Sequence, residues 1–192
     1  SFSTILHVDG EEYSIIQSAI DDADTGDTVL VYHGVYYENI DISKTITLSS
    51  LAIYDDLTSW YSEYEITNIN ILNTIIDGTN AVDEDFSSTI VVRSTEDDCI
   101  SPVIMGFTIT GGMGTKLTEE QINMEAEIVD VERWIGGGLF SYLTNANIHH
   151  NKLSNNGGTS VQNGGAIYSQ TSAEDWGFDD RSIGVGRCEI EE

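Results

Sequence analysis

Two glycine-led segments set the strictest limit on what this chain can fold into. GGGLF (136–140) and GGAIY (164–168) place Leu139 and Ile167 in equivalent positions 28 residues apart, with the turn-rich run NIHHNKLSNNG (147–157) between them. Short apolar bursts lead up to this pair: TVLVY (28–32), NIDI (39–42), TITL (45–48), NTIIDG (73–78), STIVVR (88–93) and VIMGFTIT (103–110). ANIH (146–149) and KLS (152–154) continue the series. The early bursts are divided by turns far shorter than the dozen or so residues that a crossover helix needs. Two arrangements remain: a small sandwich of hairpins, or the successive sides of one coil whose strands bond to the coils above and below. The paired glycine segments favour the coil, because their separation is one coil's worth of chain. Asn147, Asn151, Asn155 and Asn156 then read as corner and ladder residues, where a coil needs left-handed or closely approaching backbone.

Ahead of the first burst the apolar period is helical. Ile16, Ala19, Ile20 and Ala23 recur on one face, Tyr13 stands just outside, and Ser14 with Gln17 has the spacing of a capping box. The expected helix covers residues 14–24 and lays its single apolar stripe over a hydrophobic surface. Three stretches interrupt the bursts, at 51–72, 113–134 and 172–187. The second, MGTKLTEEQINMEAEIVDVERW, carries some helical character. They bring in Trp60, Trp134 and Trp176, and insertions of this kind emerge on the outside of a solenoid as a common binding face.

Charge narrows the partners. Thirty-three acidic residues against seven lysines and arginines give a formal net charge of −26, which repels phosphate backbones and anionic lipid. Nucleic acid is therefore excluded as a partner, and an acidic polysaccharide needs a cation in between. No apolar run approaches the roughly 18 residues of a membrane span, so no membrane insertion is expected. Cys99 and Cys188 allow one disulfide, closed if their coils stack.

The opening from Tyr13 to Asp27, YSIIQSAIDDADTGD, followed by TVLVYHGVYYENIDISKTITLSS to Ser50, resembles the start of the pectate-lyase-like, right-handed parallel β-helix superfamily. The later IIDG, IMGFTITGG and GGAIY segments are similar to its coil sequences. The resemblance implies an all-β fold: a right-handed parallel β-helix of about three to four coils with an N-terminal capping α-helix and long loop insertions, a single domain over 1–192. It also implies a secreted or cell-surface protein. No terminal cap follows GGAIY in the sequence, so the expectation is the N-terminal part of a longer helix, extended by further coils or by end-to-end self-association.

That superfamily includes lyases, hydrolases, epimerases and adhesins, and a fold does not choose among them. The leading expectation is recognition of a polysaccharide or a cell-surface protein without catalysis, with Trp60, Trp134 and Trp176 as carbohydrate contacts. The alternative is a calcium-assisted polysaccharide lyase. Arg93 would be its base, as the resemblance implies, and Asp77, Asp83, Asp85 and Asp97 would surround the calcium with oxygen ligands. A third reading is a structural repeat spacer. Aligned acids on neighbouring coils would favour the lyase, an exposed aromatic strip would favour binding, and neither would favour the spacer. The paired carboxylates of a hydrolase do not occur in the family's characteristic set. His149 and His150, adjacent on a strand, are expected to point to opposite faces, one of them inward or at a corner, and to share no metal.

Overall fold

The computed structural model describes residues 3–62, 65–94, 99–122, 128–158 and 161–170. It is a right-handed parallel β-helix, entered through β1 (Ile5–Val8) and α1 (Ile16–Asp22). The first turn of the coil runs through β2 (Thr28–Val31), β3 (Gly34–Tyr36) and β4 (Ile40–Ile42). The second starts at β5 (Thr47–Ser50) and makes an excursion through β6 (Tyr61–Ser62), β7 (Glu65–Ile66) and α2 (Ile69–Asn73). It returns at β8 (Thr74–Asp77), then passes β9 (Phe86–Ser87) to reach β10 (Ile90–Arg93). The third comprises β11 (Val103–Met105), β12 (Thr108–Thr110), the hairpin β13 (Gly114–Ile122) and β14 (Ile128–Ile135), and β15 (Leu139–Tyr142). The fourth holds β16 (Asn147–His149), β17 (Lys152–Leu153), β18 (Val161–Asn163) and β19 (Ile167–Gln170).

Stacking these turns builds three parallel sheets. The first has the order β1-β2-β5-β11-β16, the second β3-β8-β12-β17 and the third β4-β10-β15-β19, so the coils number four to five. Leu139 pairs with Ile167, one turn apart, as the glycine segments imply. The interior follows from period-2 alternation in every strand. Ile40, Ile90 and Leu139 stack in register inside the third sheet, as Val29, Leu48 and Ile104 do inside the first, all at 1% exposure or less. Each such side chain contributes about 1.5–3 kcal/mol by leaving water.

The corners are held by side chains that replace missing ladder bonds. Asn151 accepts from Phe107 N (3.0 Å) and donates to Ile104 O (2.8 Å), while Asn156 accepts from Gly112 N (3.1 Å) and donates to Ile109 O (2.9 Å). Asn155 takes the left-handed conformation, with φ at 55°. Where the second sheet turns into the third, backbones of adjacent turns touch. A Cβ on Gly112 would collide with the Gly137 carbonyl, and one on Gly137 with Gly157 and Gly165.

The cap helix forms, but not by the expected means. It starts at Ile16 with Ile15 as its cap residue, and Ser14 makes no capping hydrogen bond. Glu38, from the first coil, reaches back instead and accepts from Ile16 N and Gln17 N at 2.9 Å each. At the other end Lys44 Nζ donates to the carbonyls of Ile20, Asp21 and Ala23 at 2.7–3.1 Å. A carboxylate at the amino end and an ammonium at the carboxyl end both suit the helix dipole. Gln17 is free to tie the helix to Asp41, donating to its carbonyl (3.1 Å) and accepting from its N–H (2.9 Å).

Where it is described, the insertion at 113–134 is not helical. It forms a long antiparallel hairpin, because Ile128, Val129, Asp130, Val131, Glu132 and Arg133 alternate at strand period. Its arms join β9 and β18 in a side sheet of order β18-β14-β13-β9 against the corner between the second and third sheets. The insertion at 172–187 lies outside the described residues. No helix among the described residues is long and apolar enough to cross a membrane.

Candidate binding face on the third sheet

Residues that alternate with the interior of the third sheet form its outer columns. Asp41, Val91, Phe140 and Tyr168 follow one another in register, and Arg93 sits beside Tyr142 in the next column. Phe140 stacks on Tyr142 (ring centroids 6.1 Å apart, planes at 24°) and on Tyr168 (6.0 Å, 27°). Val91, Ile135 and Phe140 are buried, and Leu117 of the hairpin packs over them with Tyr142 and Tyr168. One face of the side sheet therefore clamps the upper turns of this column, which leaves its lower end open.

At that lower end lies a cleft of about 90 Å³ lined by Asn39, Ile40, Asp41, Phe86, Val91 and Arg93. Ligand pockets for whole small molecules run to roughly 300–1,000 Å³, so this cleft accepts one functional group of a ligand lying across the surface. Arg93 Nη2 donates to Asp41 Oδ2 at 2.5 Å, with both side chains a little under half exposed. The guanidinium also lies 5.5 Å from the centre of the exposed Phe86 ring, a cation–π distance. The other carboxylate oxygen, Asp41 Oδ1, is shielded and has no hydrogen-bond partner among the described residues.

The acids expected around a cation are engaged locally. Asp77 Oδ1 accepts from the backbone N–H of Thr79 (3.0 Å) and from its hydroxyl, closing the turn at Gly78. Asp83 Oδ1 accepts from Asp85 N at 2.9 Å, and Asp85 lies 3.7 Å from Lys116 Nζ. Asp97 lies outside the described residues. Among the described residues no three His, Cys, Asp or Glu side chains gather closely enough to hold a metal. Lys116 pairs more tightly with Glu132 (2.7 Å), which raises its pKa above the ordinary lysine value, with Asp85 adding to the effect.

The two described tryptophans have different partners. Trp134 is on the hairpin, with Lys116 Nζ 5.6 Å from its ring centre. Trp60 belongs to the insertion that follows the first sheet and packs at 5.1 Å on His150. Trp176 lies outside the described residues. Cys99 is disulfide-bonded, and the chain's other cysteine, Cys188, lies outside the described residues.

His150 sits at a corner, as expected for one of the pair, but the two rings do not diverge: its φ of 51° breaks strand alternation and turns its ring onto that of His149. Sequence reading also passed over Asp41, Phe86, Phe140, Tyr142 and Tyr168. A signal for two of them was present, because the register that equates Leu139 with Ile167 also equates Phe140 with Tyr168 on the opposite face.

The fold thus defines a parallel β-helix with a partly covered aromatic strip on one flank. The sequence matches no protein-family model, and no match to a curated protein was found.

Proposed function

We propose that this chain is a recognition module of a secreted or cell-surface protein, and that it binds polysaccharide along the third sheet without catalysing a reaction. The observation that carries this reading is the Asp41–Arg93 pair set beside Phe86 at the open end of an aromatic column. A sugar offers hydroxyls to a carboxylate and a guanidinium, and an apolar ring face to an aromatic side chain. The column runs along the solenoid axis, so successive units of a chain-like ligand meet successive coils. Further coils stacked on the same axis would lengthen the surface rather than close it.

The alternative of a calcium-assisted lyase needs Arg93 as a proton acceptor. A guanidinium donating to Asp41 is a hydrogen-bond donor with no acceptor lone pair. That leaves recognition as the better supported reading, with a protein surface as the other class of ligand.

Affinity electrophoresis through gels containing neutral and acidic polysaccharides, with and without calcium, tests this. At least one polysaccharide should retard the protein, and Phe86→Ala and Arg93→Ala should each reduce the retardation about tenfold, the loss of a contact worth roughly 1.4 kcal/mol. No retardation by any polysaccharide, or retardation unchanged in both variants, would remove the carbohydrate reading. Release of unsaturated product would instead establish the lyase.

A further inference from the structure

A second site stands at the corner after β16, on a different side of the solenoid. His149 ends that strand and faces outward, since its neighbour Ile148 packs into the core. The left-handed backbone at His150 folds the next imidazole back against it, with ring centroids 4.9 Å apart and planes at 87°. The two Nδ1 atoms approach to 2.7 Å. Trp60 closes over His150 edge to face, with centroids 5.1 Å apart. On the coil below, Met105 is the register partner of His149 and is 7% exposed.

Two Nδ1 lone pairs therefore converge on a point that one proton fills as a hydrogen bond. We propose that this point binds a soft metal ion of low coordination number, copper(I) in chemical class. His149 and His150 supply Nδ1 ligands, Met105 supplies a thioether from the neighbouring coil, and Trp60 covers the site. The ion takes the place of the shared proton. The imidazole that loses its Nδ1 proton is reprotonated at Nε2, so both rings stay neutral and no net proton is released. Metal–nitrogen bonds of about 2.0 Å separate two ligand atoms by about 3.5 Å at the trigonal angle of three ligands. The rings need then part by roughly 0.8 Å, a small side-chain rotation.

The ligand types choose the ion. Zinc takes four ligands and calcium six or more oxygens, and the described residues offer no third His, Cys, Asp or Glu here. Two imidazoles with an adaptable thioether suit copper(I) instead. The net charge of −26 draws cations toward the surface.

The test is an anaerobic titration of the whole chain with copper(I) against a chromophoric chelator, following tryptophan emission. The expected result is one ion per chain with quenched emission, a quench that Trp60→Phe reduces. His149→Asn and His150→Asn should each weaken binding at least tenfold, Met105→Leu should weaken it less, and zinc should not compete at equal concentration. X-ray absorption of the copper-loaded wild-type protein should show two nitrogen neighbours and one sulfur, and it does not depend on any variant folding. Failure to compete with the chelator, undiminished binding in both histidine variants, or a nitrogen-free copper shell would each overturn the proposal.

Discussion

The first and third sheets share one coil and one kind of aliphatic interior, yet their outer faces differ. On the first sheet, Leu30, Ser49 and Met105 follow one another in register on the outside and are 2%, 0% and 7% exposed. The insertion after β5 starts against this sheet: its first turn (Leu51–Tyr54) buries Ala52 completely, and Trp60 reaches His150 further on. On the third sheet the equivalent column is clamped only at the upper turns, and Asp41, Arg93 and Phe86 remain half open. A coil supplies surfaces of one geometry, and the position of each insertion decides which surface becomes a second core and which stays available to a ligand.

The largest expected effect separates the two faces by stability. Leu30→Ala should cost about 2–5 kcal/mol, the range for deleting a buried aliphatic side chain. Tyr142→Ala, on the half-covered column, should cost less than half as much. Denaturant midpoints measured at constant slope compare them directly, and equal costs would mean that both outer faces are cores. Arg93→Ala is expected to cost at most about 1 kcal/mol, because its pair with Asp41 is exposed to solvent, while ligand retention falls. A large loss of stability there would make Arg93 a structural residue.

The smallest effect concerns pH on the first-sheet side. The pKa of His149 is lowered in the folded state, so the unfolded chain binds more protons just below the ordinary imidazole value of 6.5. The contribution of His149 is fully present above pH 6.5 and is lost as the pH falls from there through the folded pKa. Comparing the pH dependence of the midpoint in the wild type and in His149→Asn should show a flatter profile in the variant over that window. Superimposable profiles would show that the histidine contact adds nothing.

The repeat was legible because a coil imposes chemistry on single positions. Glycines such as Gly112 and Gly137 meet neighbouring backbone that no Cβ can approach, and Asn151 and Asn156 are needed wherever the ladder turns a corner. Alternation in STIVVR likewise marks Ile90 and Val92 as interior. The site was half legible. Arg93 stood out as a cation ending a strand, but its partner Asp41 lies 52 residues away, and the register joining them crosses an insertion.

By itself, the sequence determined the strand period, the glycine and asparagine corners, the amphipathic helix and the acidic character. All of these are properties of single residues or short spacings. Only the tertiary structure decided that Glu38 and Lys44 rather than Ser14 cap the helix, that β13 and β14 pair as antiparallel strands, and that His149 meets His150 beneath Trp60. The caps join residues from different turns, the hairpin's arms are held between β9 and β18 of neighbouring turns, and the histidine contact depends on one left-handed backbone angle. Their energy comes from burial and pairing that the local chain does not encode.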